Sequence, residues 1–309
     1  MTAATISEQV PAALAGERLD RIVALIGDVS RSHAAAAITQ GGVSVDGTVA
    51  SSGKVRLVEG QLVSVDPNSF PVPQLPSAED TVDFAVVHVD DAVIVIDKPA
   101  GLVVHPGAGN PTGTLANGLL ARFPELEGVG DPMRPGIVHR LDAGSSGLLV
   151  VARTDRAAAA LIAQFADHSA TRRYIAVVWG VPEAPHGIID APIGRDRGDP
   201  LKMAVVNGGR NARTDYRVVG TYTEPALVSQ LECRLETGRT HQIRVHLASI
   251  DHPLLGDPVY GQRRPVLGLT RPFLHAAELA FVHPTTGDRV TFTSPLATDL
   301  QSWLDAAKS

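Results

Sequence analysis

One cysteine, Cys233, stands among 309 residues. That excludes an intramolecular disulfide framework and any multi-cysteine zinc site. Cys233 falls in an apolar-alternating stretch and reads as a core residue. Lysine is nearly as scarce, since 23 of the 27 basic side chains are arginine. No apolar run reaches the ~18 residues that a membrane-spanning helix needs. The N-terminus has no basic stretch followed by an apolar one, so the expectation is a cytoplasmic protein that is not exported. There is no Walker-type loop. The glycine-rich stretch 101–113 lacks dinucleotide-binding spacing and is not followed by Lys-Ser or Lys-Thr. His241 and His246 stand five apart, not the four that sets two metal ligands on one helix face.

What is present is a globular composition, 44% hydrophobic and 19% charged, which excludes disorder throughout. The net charge of −6 argues mildly against nucleic acid, but it is unevenly spread. Residues 1–97 carry 5 basic and 13 acidic side chains, whereas residues 98–309 carry 22 and 20. The planar fork of arginine suits phosphate and carboxylate. A GC-rich genome that writes arginine for lysine explains the bias more simply than RNA binding does.

The chain divides into a small unit over 1–68, a proline-rich linker over 69–80 and a larger unit over 81–309. In the first, Leu19, Ile22, Val23 and Ile26 recur at helical spacing. Ser30 suits the N-cap of a helix over 31–40 that Gly41 and Gly42 stop. Val43–Val45 and Thr48–Val49 around Asp46-Gly47 predict a hairpin, and Leu62–Val65 a further strand. Pro67, Pro71, Pro73 and Pro76 follow. In the larger unit, strands are predicted over 84–89, 93–96, 147–153, 174–179, 214–219, 227–235, 279–282 and 290–292. Thr114 suits the cap of a helix through Phe123, and Asp155 that of an alanine-rich helix to about 168. A helix over 240–250 would bury Ile243, Leu247 and Ile250 on one face. Strands outnumber helices and rarely alternate with them, so the fold class is α+β with a mixed, mainly antiparallel sheet.

Two segments carry chemistry. His139-Arg140-Leu141-Asp142-Ala143-Gly144-Ser145-Ser146 is a polar turn feeding an apolar strand. A lone Asp in such a turn usually bonds backbone two residues on. Glu236 to His246 sets Arg239, His241, Gln242 and Arg244 within six residues, which by itself reads as a solvated helix start.

Together with Asp97 to Pro106, Gly256 to Gly261, Leu274-His275-Ala276 and His283-Pro284, these segments resemble the RluA-type pseudouridine synthases of ribosomal and transfer RNA. The resemblance spans residues 84 to about 295 and implies that family's catalytic domain with a central cleft. Arg18-Leu19-Asp20, Ser30-Arg31-Ser32 and Gly42 to Gly47 resemble a small RNA-binding module shared with a small-subunit ribosomal protein. A module placed so is most like the large-subunit pseudouridine synthase D subgroup. Two departures stand out. Ala143-Gly144-Ser145 replaces the common Lys-Asp-Thr and removes a cation. His33 to Ala37 replaces the basic residues of the RNA-binding helix.

The resemblance implies isomerisation of uridine to pseudouridine in RNA, chiefly large-subunit ribosomal RNA within pre-ribosomal particles, by a monomer. Transfer RNA is the alternative substrate, and an inactive RNA-binding assembly factor the alternative function. A glycosidase would need a second carboxylate, and none stands out. The reaction has no net redox change, so no cofactor and no metal is expected. Asp142 is the implied catalytic carboxylate, which attacks the sugar, attacks the uracil or takes a proton. Arg244, with Arg239 as second choice, is the implied partner of that carboxylate. Tyr174 is the implied active-site tyrosine that stacks on the base. Arg140 is the implied filler of the gap left by the flipped base, with His139, Arg239, His241 and Gln242 as further substrate-binding candidates. Arg195, Arg197, Lys202, Arg210, Arg213 and Arg217 are expected along the RNA path.

Overall fold

In the first 74 residues, helices α1 (Leu19–Ile26) and α2 (Arg31–Thr39) pack on a four-stranded sheet. Its strands β1 (Ile6–Gln9), β2 (Val43–Val45), β3 (Thr48–Val49) and β4 (Leu62–Val65) lie in the order β1-β4-β2-β3. The computed structural model describes residues 4–71, 75–107, 109–199, 202–261 and 264–307. They form two compact units that part between residues 74 and 75. Ser30 caps α2 by accepting from the His33 N–H at 3.2 Å. Asp46 and Gly47 both take positive φ, as a two-residue hairpin turn requires. Leu19, Ile22 and Val23 meet Ala34, Ala37 and Ile38 in the core, so two of the helix's alanines are packing residues. The unit's few cations are largely matched internally. Arg18 and Arg31 both pair with Asp20, and Arg21 pairs with Glu17.

The proline-rich stretch is built into the units at both ends. Phe70 packs on the first core. Farther on, the Ser77 carbonyl accepts from Asn117 at 2.8 Å, and the Glu79 carboxylate from the Gly113 N–H at 3.0 Å. Pro73 lies outside the described residues.

The second unit is organised by a nine-stranded sheet. Its strands are β5 (Ala85–Val89), β6 (Val93–Lys98), β7 (Ser146–Ala152), β8 (Thr171–Trp179), β9 (His186–Asp190), β12 (Arg213–Tyr222), β13 (Val228–Leu235), β14 (Leu274–Val282) and β15 (Arg289–Thr293). A separate pair joins β10 (Ile193–Arg195) to β11 (Met203–Val205). The order is β5-β6-β7-β14-β8-β13-β12-β9, with β15 also on β14. Every pairing is antiparallel except β7 with β14. Strand β8 takes one edge of β14, and β7 and β15 share the other.

Strands β6 and β7 run between two apolar layers. Ile94, Ile96, Leu149 and Val151 face the layer of α3 (Leu115–Arg122) and α5 (Gln242–Ser249). Val93, Val95, Leu148 and Val150 face that of α4 (Asp155–Ala166). This double burial is why both strands read as continuous apolar runs. Each such side chain contributes about 1.5–3 kcal/mol. No described helix is long and apolar enough to cross a membrane.

Several local expectations change. The cap of α4 is Thr154, which accepts from the Ala157 N–H at 3.1 Å; Asp155 is already helical and accepts from the Gly130 N–H at 2.8 Å. Strand β14 begins at Leu274, not 279, because His275 is buried there as a hydrogen-bonded strand residue. Strand β1 (Ile-Ser-Glu-Gln) had no apolar signal, since all four residues are exposed. Helix α6 (Thr298–Ala307) was also unanticipated; it packs Leu300 and Leu304 into a cluster with Trp179 and Phe273.

Candidate active site

The turn at 142–145 is positioned by a glycine and by three cationic or polar anchors. Gly147 has φ 111°, and an added Cβ would lie 2.3 Å from the Ala276 carbonyl oxygen. Only glycine lets β7 pass β14 so closely, and this fixes where the turn emerges. The Ser145 N–H bonds the Asp142 carbonyl at 3.0 Å, and the Gly101 N–H bonds the Ala143 carbonyl at 2.7 Å. Lys98, with no exposed surface, donates to the carbonyls of Pro99 (2.8 Å), Leu102 (2.9 Å) and Ala143 (3.3 Å). Burial pushes its ammonium down to about 7, against the opposing pull of the Asp142 charge. Arg271 reaches the Gly144 carbonyl at 3.3 Å while held on Asp299 by two bonds of 2.6 and 2.7 Å.

It is the main-chain carbonyl of Asp142 that takes the turn's hydrogen bond. The carboxylate meets Arg244, whose Nη1 donates to Oδ2 at 3.2 Å. Arg244 is clamped from the other side by Asp257, with Nε to Oδ2 at 2.8 Å and Nη2 to Oδ1 at 2.9 Å. Its guanidinium lies 5.1 Å from the centre of the Tyr260 ring. Burial acts to depress this guanidinium, but its bonds and attraction to Asp257, and then Asp142, raise it overall. Asp257 is tied down in turn by the N–H groups of Val259 (2.8 Å) and Tyr260 (3.1 Å). A fixed fork thus presents its third nitrogen to Asp142.

Helix α5 is not the solvated start that its polar residues suggest. Gln242 to Leu247 are all buried, whereas Ile250 is only partly so. Gln242 accepts from Thr237 Oγ1 (2.7 Å) and the Arg239 N–H (2.9 Å) and donates to the Arg213 carbonyl and Thr214 Oγ1, both at 3.0 Å. Both donors and both lone-pair positions of the amide are used. Gln242 therefore has no bonding capacity left for a substrate, and its place is to hold the helix start. His241, at φ 56°, pairs its Nδ1 with the Tyr260 hydroxyl at 2.9 Å. Arg239 donates Nε to the Asn211 carbonyl at 2.9 Å, so the arginine on Asp142 is Arg244.

These groups line one cavity of about 440 Å³. His139, Arg140, Asp142, Tyr174, Arg239, His241, Gln242 and Arg244 all reach it, joined by Arg134, Arg172 and Arg210. Asp142 is the one carboxylate among its described lining residues. The wall is positive enough to perturb itself. Burial and then Arg140 and Arg134 lower His105, and burial and then Arg210 lower Arg239. Burial pushes the Tyr174 phenol up, so it stays protonated at neutral pH. Of the other expected path cations, Arg213 pairs with Glu236 (3.0 Å), Arg217 with Glu232 (2.7 Å) and Lys202 with Asp199 (3.6 Å). Among the described residues no group of three or more His, Cys, Asp or Glu side chains is placed to hold a metal ion.

Lys98, Asp257 and Tyr260 stand inside the motifs with no role legible from sequence, and Arg172, two residues before Tyr174 on the same buried face of β8, stands in none of them.

Asp142, Tyr174 and Arg244 fall within a match to a known family. Residues 92–249 match the RNA pseudouridylate synthase family, and residues 17–66 match the S4 domain. The chain is 49% identical to an uncharacterized RNA pseudouridine synthase of Chloroflexus aurantiacus, over 94% of this chain and 90% of that protein. It is 44% identical to the ribosomal large subunit pseudouridine synthase D of Zymomonas mobilis, over 93% of this chain and 92% of that one. Among solved structures, human RNA pseudouridylate synthase domain containing 4 shares 26% identity at a TM-score of 0.57, over 72% of this chain and 93% of that one. A family match across half the chain, with such relatives across nearly all of it, makes this protein a member of the RNA pseudouridylate synthase family of isomerases, carrying an S4 domain at its N-terminus.

Proposed function

We propose that the cavity converts specific uridines of large-subunit (23S) ribosomal RNA to pseudouridine, with Asp142 as the reacting carboxylate. The observation that carries this reading is the Arg244–Asp142 contact of 3.2 Å, made by the one carboxylate of an arginine-lined cavity. The substrate class is supported by relatives named for the large ribosomal subunit. In the reaction the bond from sugar C1′ to uracil N1 breaks and a bond from C1′ to C5 forms. The C5 proton is lost and N1 gains one, so atoms and electrons balance without a cofactor. A duplexed or stacked uridine must first leave its stack, at a few kcal/mol. Arg140, exposed and lining the cavity, would fill the gap. Tyr174, which lines the same cavity, would stack its ring on the uracil, and its protonated phenol leaves removal of the C5 proton to the Asp142 carboxylate or to water. Asp142 attacks the sugar, attacks the ring or abstracts a sugar proton; all three need the same anion.

Ribosomal RNA transcripts tritiated at uracil C5 test this. The wild type is expected to release tritium, and Asp142→Asn to bind the RNA without releasing it. Retention of more than about 1% of the rate would remove Asp142 from the reacting role. Pseudouridine maps of ribosomal and transfer RNA with and without the gene identify the substrate. A change confined to transfer RNA would overturn the ribosomal assignment.

A further inference from the structure

Arg172, the second residue of β8, carries a charge that no ion pair neutralises among the described residues. The residue is 7% exposed and lines the cavity. No salt bridge holds it among the described residues, and its Nε is buried without a hydrogen-bond partner. Its guanidinium lies 5.1 Å from the centre of the Phe165 ring. On another side is Gly238, where an added Cβ would sit 2.7 Å from Nη1. An aromatic ring and a glycine thus frame the guanidinium without discharging it. The next residue on the strand shows the usual solution: Arg173 bonds Glu232 and Glu278 at 3.3 and 3.0 Å.

His139 adds a second donor without a partner. Its Nε2 accepts from the Val150 N–H at 3.0 Å, which assigns the ring proton to Nδ1. That Nδ1 is buried and unpartnered. The ring lies 4.5 Å from the same Phe165. Burial and then Arg172 push His139 down to about 3, so at neutral pH it is a neutral N–H donor. A buried cation left uncompensated is strongly unfavourable. A neutral uracil oxygen would leave Arg172 uncompensated, whereas a phosphate balances it.

We propose that Arg172 and His139 form an anion subsite that takes one phosphodiester of the RNA strand beside the uridine in the cavity. The proposal rests on the cavity being the uridine site. It gives the RNA a second anchor within the cavity, apart from Asp142 and Arg244.

The test is binding of a large-subunit ribosomal RNA transcript by the full chain between about 50 and 200 mM salt. Each neutralised phosphate contributes about 0.7 to 0.9 to the log–log slope. Arg172→Gln is expected to reduce the slope by about that amount and to weaken binding about tenfold at fixed salt. Arg172→Lys should keep the slope and lose part of the affinity, because the charge stays and the fork goes. Arg173→Gln, which removes a cation already paired, should leave the slope unchanged. An unchanged slope in Arg172→Gln, or an equal change in Arg173→Gln, overturns the subsite. Should Arg172→Gln fail to fold, Arg172→Lys decides, and wild-type affinity there overturns it as well. Tritium release by the wild type is read on the same transcript. Release with an unchanged slope defeats the subsite alone. A changed slope without release defeats the uridine reading and leaves a phosphate site.

Discussion

The ammonium of Lys98 and the carbonyl of Ala143 lie 3.3 Å apart, so the residue that follows Asp142 hangs from a lysine with no exposed surface. The family resemblance suggested that Ala143 leaves this turn without a cation. The amine of Lys98 reaches it nonetheless, through the backbone and from strand β6.

Lys98→Met is therefore expected to loosen the turn. It strands three carbonyls and should destabilise the protein by about 2–4 kcal/mol at neutral pH. Turnover should fall with RNA affinity preserved. The pH dependence has a definite sign. Burial lowers Lys98 to about 7 in the folded chain, below its unfolded value, so between about pH 7 and 10 the unfolded chain binds more protons. The stability of wild type relative to Lys98→Met should rise with pH through that window, by on the order of 1 kcal/mol per unit. Urea unfolding of both proteins at pH 7, 8 and 9 measures it; a flat difference contradicts the account.

Arg244→Lys should lower the single-turnover rate about a hundredfold or more with little change in RNA affinity. Lysine keeps the charge but cannot grip Asp257 with two nitrogens and offer a third to Asp142. Arg239→Lys, whose native contact is the Asn211 carbonyl, should lose far less turnover. The reverse pattern in rapid-quench assays would exchange the two roles.

Gly147→Ala should be among the most damaging single-methyl changes in the chain. The new Cβ meets the Ala276 backbone at 2.3 to 2.8 Å, and the backbone is held at φ 111°. A loss of about 3 kcal/mol or more is expected in urea unfolding, with turnover falling in whatever protein remains folded. Near-wild-type stability would show that β7 and β14 can part at no cost.

Deleting residues 1–68 should change the salt slope of RNA binding by less than about two. The first unit is acidic, and Arg18, Arg21 and Arg31 are matched by Asp20 and Glu17. A larger drop would show that the S4 domain contacts phosphate despite those pairs.

Much of the architecture could be read from local pattern. The Ser30 cap, the Asp46-Gly47 hairpin and the alternating or continuous apolar strands carry their own physics within a few residues. Thr154 against Asp155 was a one-residue error between two competent caps. Strand β1 and helix α6 were missed because one is wholly exposed and the other buries a narrow stripe.

The candidate site divides in the same way. The family resemblance singled out Asp142, Tyr174 and Arg244, because the family's motifs stand in this chain in the same order. Their sequence separation says nothing of distance. Whether Arg239 or Arg244 touches Asp142, whether Gln242 is free for a substrate, and whether Arg172 has a counter-ion were decided by tertiary structure alone. The physical reason is pairing. A charged or amide side chain has a fixed bonding capacity, and what remains for a ligand depends on which partners the fold brings within about 3 Å. Asp257 lies 13 residues from the arginine that it clamps, and Asp142 lies 102 away. Composition supplied the arginines, and packing left Arg172 without a counter-ion among the described residues.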